Sequence, residues 1–433
     1  MKIIRFFSLM TLVASIGFMS CQQGDNSDNN SDYNDDLASP NPVLDFTNIN
    51  IPNPTFSSES GNIIRIDMAG ILHPLIKDWI ELVGTSTSTS PTLRASGIDL
   101  KAYIYIEVDG TSKCVPNNGV GVINNSESSS TNRSADIVFL VDNSGSMDEE
   151  AEGVAQSIKD FADYLTQQKY DVKFGCVGYG YNSDTSIYGA INLTNADSLS
   201  NYLDRSYGRD RTVGYSGSDA STLQSLADSY SSYNYGGECG VLAFRFADEN
   251  FKLSAANTSR VYVNFTDEPN QPCGNAKYSI KYTSDPSKWI NQSSIIHTVF
   301  SDPDTATVCQ RSVGYNWLDG YYERPWLMSD STGGTTLFTD PSFMTIRSGG
   351  AVNVSSSMRA SSSGYISLLD LPVTGALVHS YIIRFKNTST VSDGAHEVKI
   401  TIQSADKSVQ GEKVFKNVTF GSSGSFNGGH KLF

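Results

Sequence analysis

Asp136-Ile137-Val138-Phe139-Leu140-Val141-Asp142-Asn143-Ser144-Gly145-Ser146-Met147 joins an uninterrupted apolar run to a polar loop. Ile137 to Val141 has no polar residue and is rich in β-branched side chains, the pattern of a strand buried on both faces of a parallel sheet. Directly behind it, Val154, Ile158, Phe161, Ala162 and Leu165 recur at helical spacing. Val172 to Val177, Arg260 to Phe265 and Ser293 to Phe300 read as further strands. Leu223, Leu226, Ala227 and Tyr230 mark a helix, and Cys239, Leu242, Ala243, Phe246 and Ala247 mark another. Strands alternating with helices predict a doubly wound, mostly parallel α/β sheet over residues 135–340.

The flanks have a different period. Residues 43–123 contain short strands: Ile63 to Met68, Trp79 to Val83, and Leu100 to Asp109, where Ala102, Ile104, Ile106 and Val108 alternate with Lys101, Tyr103, Tyr105 and Glu107. Asp109-Gly110 then supplies a turn. Residues 124–134 are a Ser/Asn-rich linker. In residues 341–433 period two returns: Val398, Ile400 and Ile402 alternate with polar residues in His396 to Gln403, and Tyr381 to Phe385 is its expected hairpin partner across Asp393-Gly394. Either these strands form a second β domain or they complete the sandwich begun before residue 123. The second arrangement is preferred, because each β portion alone is short of strands. The expected fold is therefore a doubly wound α/β unit combined with an antiparallel β-sandwich formed by N- and C-terminal strands.

Residues 1–20 read as an address. Lys2 and Arg5 precede the 15-residue, mostly apolar Phe6 to Ser20, shorter than the roughly 20 residues of a spanning helix. Phe18-Met19-Ser20-Cys21 resembles a bacterial lipoprotein signal, in which Cys21 is acylated and becomes the mature N-terminus; the alternative is an ordinary cleaved secretory signal. Residues 21–42 carry Asp25, Asp28, Asp32, Asp35 and Asp36 and too little apolar surface to fold, so they read as a flexible tether. A solvated spacer is one reading. The other is a resemblance to the acidic signal that displays some lipoproteins on the outer face of the outer membrane. The expected location is thus the outer membrane, lipid-anchored through Cys21. The remaining cysteines have no metal-binding spacing; Cys176 reads as a buried strand residue, and Cys273 with Cys309 is the expected disulfide pair.

Composition narrows the partner. The 433 residues hold 31 Lys+Arg against 46 Asp+Glu, a net charge of −15, with no basic run. A nucleic-acid surface needs clustered cations, so nucleic acid is excluded as an expectation. In an open α/β sheet the ligand sits beyond the carboxyl ends of the strands. There Asp142, Ser144 and Ser146 form a D-x-S-x-S loop, Thr266-Asp267-Glu268 follows a second strand, and Glu238 precedes a helix. Carboxylates and hydroxyls are hard oxygen donors, suited to Mg²⁺, Mn²⁺ or Ca²⁺ rather than zinc. The competing reading is that Asp142 and Ser144 cap the next helix.

Those residues, with Asn264-Phe265-Thr266-Asp267 and Ser331-Thr332-Gly333-Gly334-Thr335, resemble a von Willebrand factor A domain with its metal-ion-dependent adhesion site. The resemblance spans residues 135–340. It implies that Ser144 and Ser146 hold a divalent metal directly, Asp142 belongs to the site, and Asp267 binds directly or through water. Common members add a Thr. Gly237-Glu238-Cys239-Gly240 looks more like the integrin β version, where a Glu takes that role, with Thr222 as the alternate. Glu149 and Glu150 stand where integrin β chains carry two Asp of a second metal site; the plainer reading is favourable charge at a helix start.

A divalent cation held by hydroxyls and few carboxylates keeps positive charge and an open position. The expected function is a metal-dependent adhesion module whose protein partner supplies an Asp or Glu carboxylate. No H-E-x-x-H, G-x-S-x-G or P-loop spacing occurs, so no enzyme is expected, and His297 reads as a satisfied strand residue. Two alternatives remain: a carbohydrate-binding or scaffold lipoprotein, recognisable by exposed aromatics such as Trp79, Tyr103 and Tyr105, and a metal-dependent hydrolase.

Overall fold

The computed structural model describes residues 49–422 apart from 60–62, 74–77, 84–99, 115–121, 125–133, 149, 181–185, 231–236, 255–257, 273–275, 281–293, 302–322, 324–326, 339–350, 354–367 and 387–393. The signal, the tether with Cys21, Glu149 and the Cys273–Cys309 pair lie outside the described residues. The chain begins with β1 (Thr55–Glu59), β2 (Ile63–Met68), β3 (Glu81–Val83), β4 (Lys101–Val108), β5 (Thr111–Cys114) and β6 (Val122–Asn124). There follow β7 (Ser134–Asp142), α1 (Ala151–Gln167), β8 (Asp171–Tyr179), β9 (Ile187–Thr194), α2 (Ala196–Leu203), β10 (Gly214–Ser216), α3 (Ala220–Tyr230), α4 (Gly240–Asn250) and β11 (Ser259–Thr266). Next are β12 (Ser294–Phe300), α5 (Leu327–Thr332), β13 (Thr336–Phe338) and β14 (Ala351–Asn353). Last come α6 (Val373–Val378), β15 (Tyr381–Lys386), β16 (His396–Ser404), β17 (Gln410–Val418) and β18 (Gly421–Ser422).

The apolar run is β7, at the centre of an eight-stranded sheet in the order β10-β9-β8-β7-β11-β12-β13-β14. Its pairings with β8 and β11 are parallel. Strand geometry sends alternate residues to opposite faces, and both faces are covered. Ile137, Phe139 and Val141 pack with Val154, Ile158, Phe161 and Leu165 of α1, whereas Val138 and Leu140 pack with Val241, Leu242 and Phe246 of α4. This is why the run has no polar position. The sheet passes residue 340, since β14 pairs parallel with β13; the α/β unit therefore extends beyond the boundary expected from sequence. One strand, β9, runs antiparallel to β8.

The sandwich draws each of its sheets from both ends of the chain. One has the order β18-β1-β2-β15-β6, the other β17-β16-β4-β3 with β5 on β4. Ile64, Ile66, Ile383 and Phe385 of the first face Ile104, Ile106, Val398 and Ile400 of the second in a shared core. The expected β15–β16 hairpin is not formed: β15 pairs with β2 and β6, and β16 with β17 and β4. Both strands present an apolar face to the same core, so they lie across the sandwich from each other rather than side by side. The Asp109-Gly110 turn does join β4 to β5, with φ of 51° and 73° at the two turn residues. The expected strand at Trp79 to Val83 shortens to β3, with Trp79 in an isolated bridge to Leu72. Trp79 stacks on His379, ring centroids 4.9 Å apart, and so belongs to packing rather than to an exposed glycan platform; Tyr103 and Tyr105 are half-buried on β4.

The α/β unit rests on the sandwich through the lead-in at residues 49–53. The Asn53 N–H donates to the Thr332 carbonyl at 3.1 Å, and Asn53 Nδ2 to that of Ser294 at 3.0 Å. Lys413 Nζ donates to the carbonyls of Ile51 and Ser331, both at 3.1 Å. Gly333, at φ 77°, lets Pro52 come so near that a Cβ there would collide with its backbone. Among the described residues no helix is long and apolar enough to cross a membrane.

His297 lies inside β12, 4% exposed, and its Nδ1 accepts from the Thr335 N–H at 3.0 Å. Burial pulls its pKa down to about 4, so the folded state holds the neutral ring, whereas the unfolded chain titrates near 6.5. Its contribution is intact above pH 6.5 and falls away as the pH drops toward 4, by up to about 3 kcal/mol. The urea midpoint should therefore drop more steeply with acid in the wild type than in His297→Asn, whose amide oxygen accepts the same bond without taking a proton. Equal slopes would show that the ring is solvated.

Candidate metal centre

The loop after β7 carries the first part of the site. Asp142 ends the strand, 2% exposed, and its Oδ1 accepts from the Ser144 N–H at 2.9 Å. That bond is the local capping role open to an Asp at a loop start, yet it occupies only one oxygen, and α1 begins later, at Ala151. Asp142 Oδ2 accepts from Thr266 Oγ1 at 2.9 Å. The Asn143 N–H donates to the Tyr179 carbonyl at 2.7 Å, and buried Met147 anchors the 3₁₀ turn Gly145–Asp148. Between these anchors the chain swings outward: Gly145 and Ser146 are exposed, while Asp142, Asn143 and Ser144 are buried.

Asp267 follows β11 and Glu238 precedes α4, so two further strand-end or helix-start loops reach the same place. One carboxylate oxygen from each of Asp142, Glu238 and Asp267 lies within 4.8 Å of the others. The hydroxyls join them: Ser144 Oγ and Ser146 Oγ are 3.0 Å apart, and Ser146 Oγ donates to Asp267 Oδ1 at 3.1 Å. All five residues named from sequence are thus brought together. Thr222 is not; it lies exposed on α3, so Glu238 rather than Thr222 occupies the third loop. Glu150 is fully buried beside this group, accepting from Ser301 Oγ at 3.2 Å. It makes no side-chain cap on α1, and its charge raises the pKa of Asp267.

The electrostatics are those of crowded acids. Burial first, and then the charges of Asp142 and Asp267, push the Glu238 carboxyl well above its usual range. Burial, then Asp142 and Glu268, raises Asp267 to about 8, and burial raises Asp142 to about 6. Repulsion of this kind is relieved by a proton or by a cation. Two features favour the cation. Glu238 Oε2 is buried and has no hydrogen-bond partner, which costs free energy unless something fills the space beside it. Gly180, at φ 75°, leaves open a position where a Cβ would come 3.0 Å from Asp142 Oδ1 and 3.2 Å from Glu238 Cγ. Three carboxylate and two hydroxyl oxygens match the hard-donor chemistry of Mg²⁺, Mn²⁺ or Ca²⁺.

Several residues that serve the site carry no sequence signal of their own. Thr266 braces Asp142. Asn270 ties the loops together, its Oδ1 accepting from the Val241 N–H at 3.2 Å, while the neighbouring Gln271 N–H donates to the Glu238 carbonyl at 2.8 Å. Glu323 holds Asn270 Nδ2 at 2.6 Å. Thr212 donates to Asn143 Oδ1 and fixes the 3₁₀ segment Gly208–Thr212 against the loop that carries Asp142, Ser144 and Ser146.

Because the acids repel one another when no cation is bound, Asp267→Asn should act with opposite signs on two quantities. The urea midpoint of the EDTA-treated protein should rise, by about 1 kcal/mol of stability. Mg²⁺ or Mn²⁺ affinity, measured by titration calorimetry, should fall about tenfold or more. A variant that loses stability in EDTA would show that Asp267 is held by attraction rather than against repulsion.

The profile of the von Willebrand factor type A domain matches residues 136–216, a stretch that holds Asp142, Ser144 and Ser146 and stops before Glu238 and Asp267. No curated protein matches the chain in sequence. Among solved structures, proximal thread matrix protein 1 from the mussel byssus is 13% identical, with 42% of this chain and 41% of that chain covered at a TM-score of 0.24. The pilus adhesin SpaC from Lactobacillus rhamnosus GG is 12% identical, with 87% and 50% covered at 0.30. The ArnB paralog VWA2 from Sulfolobus acidocaldarius is 9% identical, with 74% and 76% covered at 0.24. The chain thus spans half or less of the first two, and similarities this low carry nothing about function. The family match therefore covers β7 to β10, the part of the mostly parallel sheet that carries the Asp142–Ser146 loop, and over residues 136–216 the chain matches a von Willebrand factor type A domain.

Proposed function

We propose that this protein is a divalent-metal-dependent protein-binding module of the adhesion type, without enzymatic activity, held at the outer membrane by a lipid on Cys21. The observation that carries the reading is the convergence of Asp142, Glu238 and Asp267 within 4.8 Å beneath the exposed Gly145–Ser146 crest. In such a site Asp142, Ser144, Ser146, Glu238 and Asp267 would hold a Mg²⁺, Mn²⁺ or Ca²⁺ ion. The bound ion would supply a coordination position able to take one more oxygen, from an Asp or Glu of the partner. Thr266 and the Ser144 N–H hold the two oxygens of Asp142, so the loop is set in place before the partner arrives, which lowers the ordering cost of binding. The acidic segment before residue 43 would give the module reach from the membrane.

Asp142→Ala should abolish both Mn²⁺ binding, read by calorimetry, and metal-dependent capture of Asp- or Glu-containing peptides, read by fluorescence anisotropy. EDTA should have the same effect on the wild type, and Mg²⁺ should restore it. Peptide binding unchanged in EDTA would overturn the proposal.

A further inference from the structure

Beside the metal loop stands the segment Asp204-Arg205-Ser206-Tyr207-Gly208-Arg209-Asp210-Arg211, in which three arginines stand with two aspartates and Arg211 Nη1 lies 3.3 Å from Asp204 Oδ1. Tyr207 is 85% exposed, the most exposed of the large hydrophobic residues described. It is carried on a firm base. Arg211 grips Glu152 of α1 with Nε to Oε1 at 3.2 Å and Nη2 to Oε2 at 2.5 Å, and its guanidinium lies 5.9 Å from the Tyr207 ring centroid. Tyr202 donates its hydroxyl to the Thr212 carbonyl at 2.9 Å, and Thr212 is bonded to Asn143. The segment also touches the exposed crest of the metal loop. Arg209 Nε is 3.3 Å from Asp148 Oδ1, and its Nη1 lies 3.4 Å from where a Cβ on Gly145 would stand.

We infer that this strip is the second half of the binding surface, receiving an acidic peptide segment of the partner: Arg209 takes a second carboxylate next to the one on the metal, and Tyr207 covers the intervening backbone. The inference rests on the carboxylate-capture reading and specifies its partner. Charge explains why such a strip is needed. A protein this acidic repels an acidic partner at long range, and three carboxylates around one dication leave the site itself without a net positive charge. Arg209 sets a guanidinium beside the exposed crest, where direct contact with a partner carboxylate would set the register. An exposed aromatic ring on a pinned scaffold adds contact area at small entropic cost.

The test uses the full chain loaded with Mn²⁺ and two sets of synthetic peptides in a Gly/Ser background, one with a single Asp and one with a Glu added one to three residues from that Asp. Fluorescence anisotropy should show the diacidic set binding about three- to fivefold tighter, with the advantage shrinking as salt is raised. Arg209→Ala should erase the advantage, Arg209→Lys should retain part of it, and Tyr207→Ala should weaken both sets. Calorimetry on each variant reports metal loading separately. Metal-dependent binding that is equal for both sets, or an advantage that survives Arg209→Ala, overturns the strip's role and leaves carboxylate capture standing. Binding of neither set to metal-loaded protein overturns both.

Discussion

Three carboxylates share one buried space in this protein, and their mutual repulsion is the constraint around which the α/β unit is arranged. Asp142, Glu238 and Asp267 come from three separate loops, which the Ser146–Asp267, Thr266–Asp142 and Gln271–Glu238 hydrogen bonds join but do not make continuous. They stay because the elements behind them are buried on every side. β7 is packed between α1 and α4, β11 pairs with it along its length, and α4 starts directly after Glu238-Cys239. The core thereby holds together groups that would separate if each loop were independent. Such an arrangement is expected where function, rather than stability, has set the placement of charge.

The two halves of the molecule divide the labour differently. The sandwich is joined chiefly by strand pairing between distant parts of the chain, β2 with β15 and β4 with β16. The α/β unit is joined by parallel pairing of strands linked through helices. Their junction is polar and backbone-rich. Asn53, Lys413 and the close approach of Pro52 to Gly333 fix the end of α5 against the lead-in at residues 49–53. Burial pulls the pKa of Lys413 down to about 7, so its two carbonyl bonds are made by a group that has surrendered much of its solvation.

Much of this could be read from sequence, for physical reasons that also explain the rest. β7 was legible because burial on two faces removes all polar positions, and β4 because burial on one face leaves strict alternation. Asp109-Gly110 was legible because two successive positive φ values demand such residues. Period two reports which face of a strand is buried but not which strand lies beside it, hence the false pairing of β15 with β16. β9 escaped because Ile187-Tyr188-Gly189-Ala190-Ile191-Asn192 mixes small and polar residues where Thr212 packs closely over Gly189. At the site, Asp142, Ser144 and Ser146 announce themselves by spacing, whereas Thr266, Gly180 and Asn270 matter only through neighbours that the fold supplies.

β6 and β15 have a mechanical consequence. They are the strands by which the chain leaves the sandwich for the α/β unit and comes back, and they pair antiparallel with Asn124 opposite Tyr381. Both therefore point toward the α/β unit from the same end of one sheet. A pull on the α/β unit would load these two strands together, in the same direction, instead of prying one from the other. The load would pass into the sandwich through the six-residue β15–β2 ladder, along the strands, where several hydrogen bonds must yield at once.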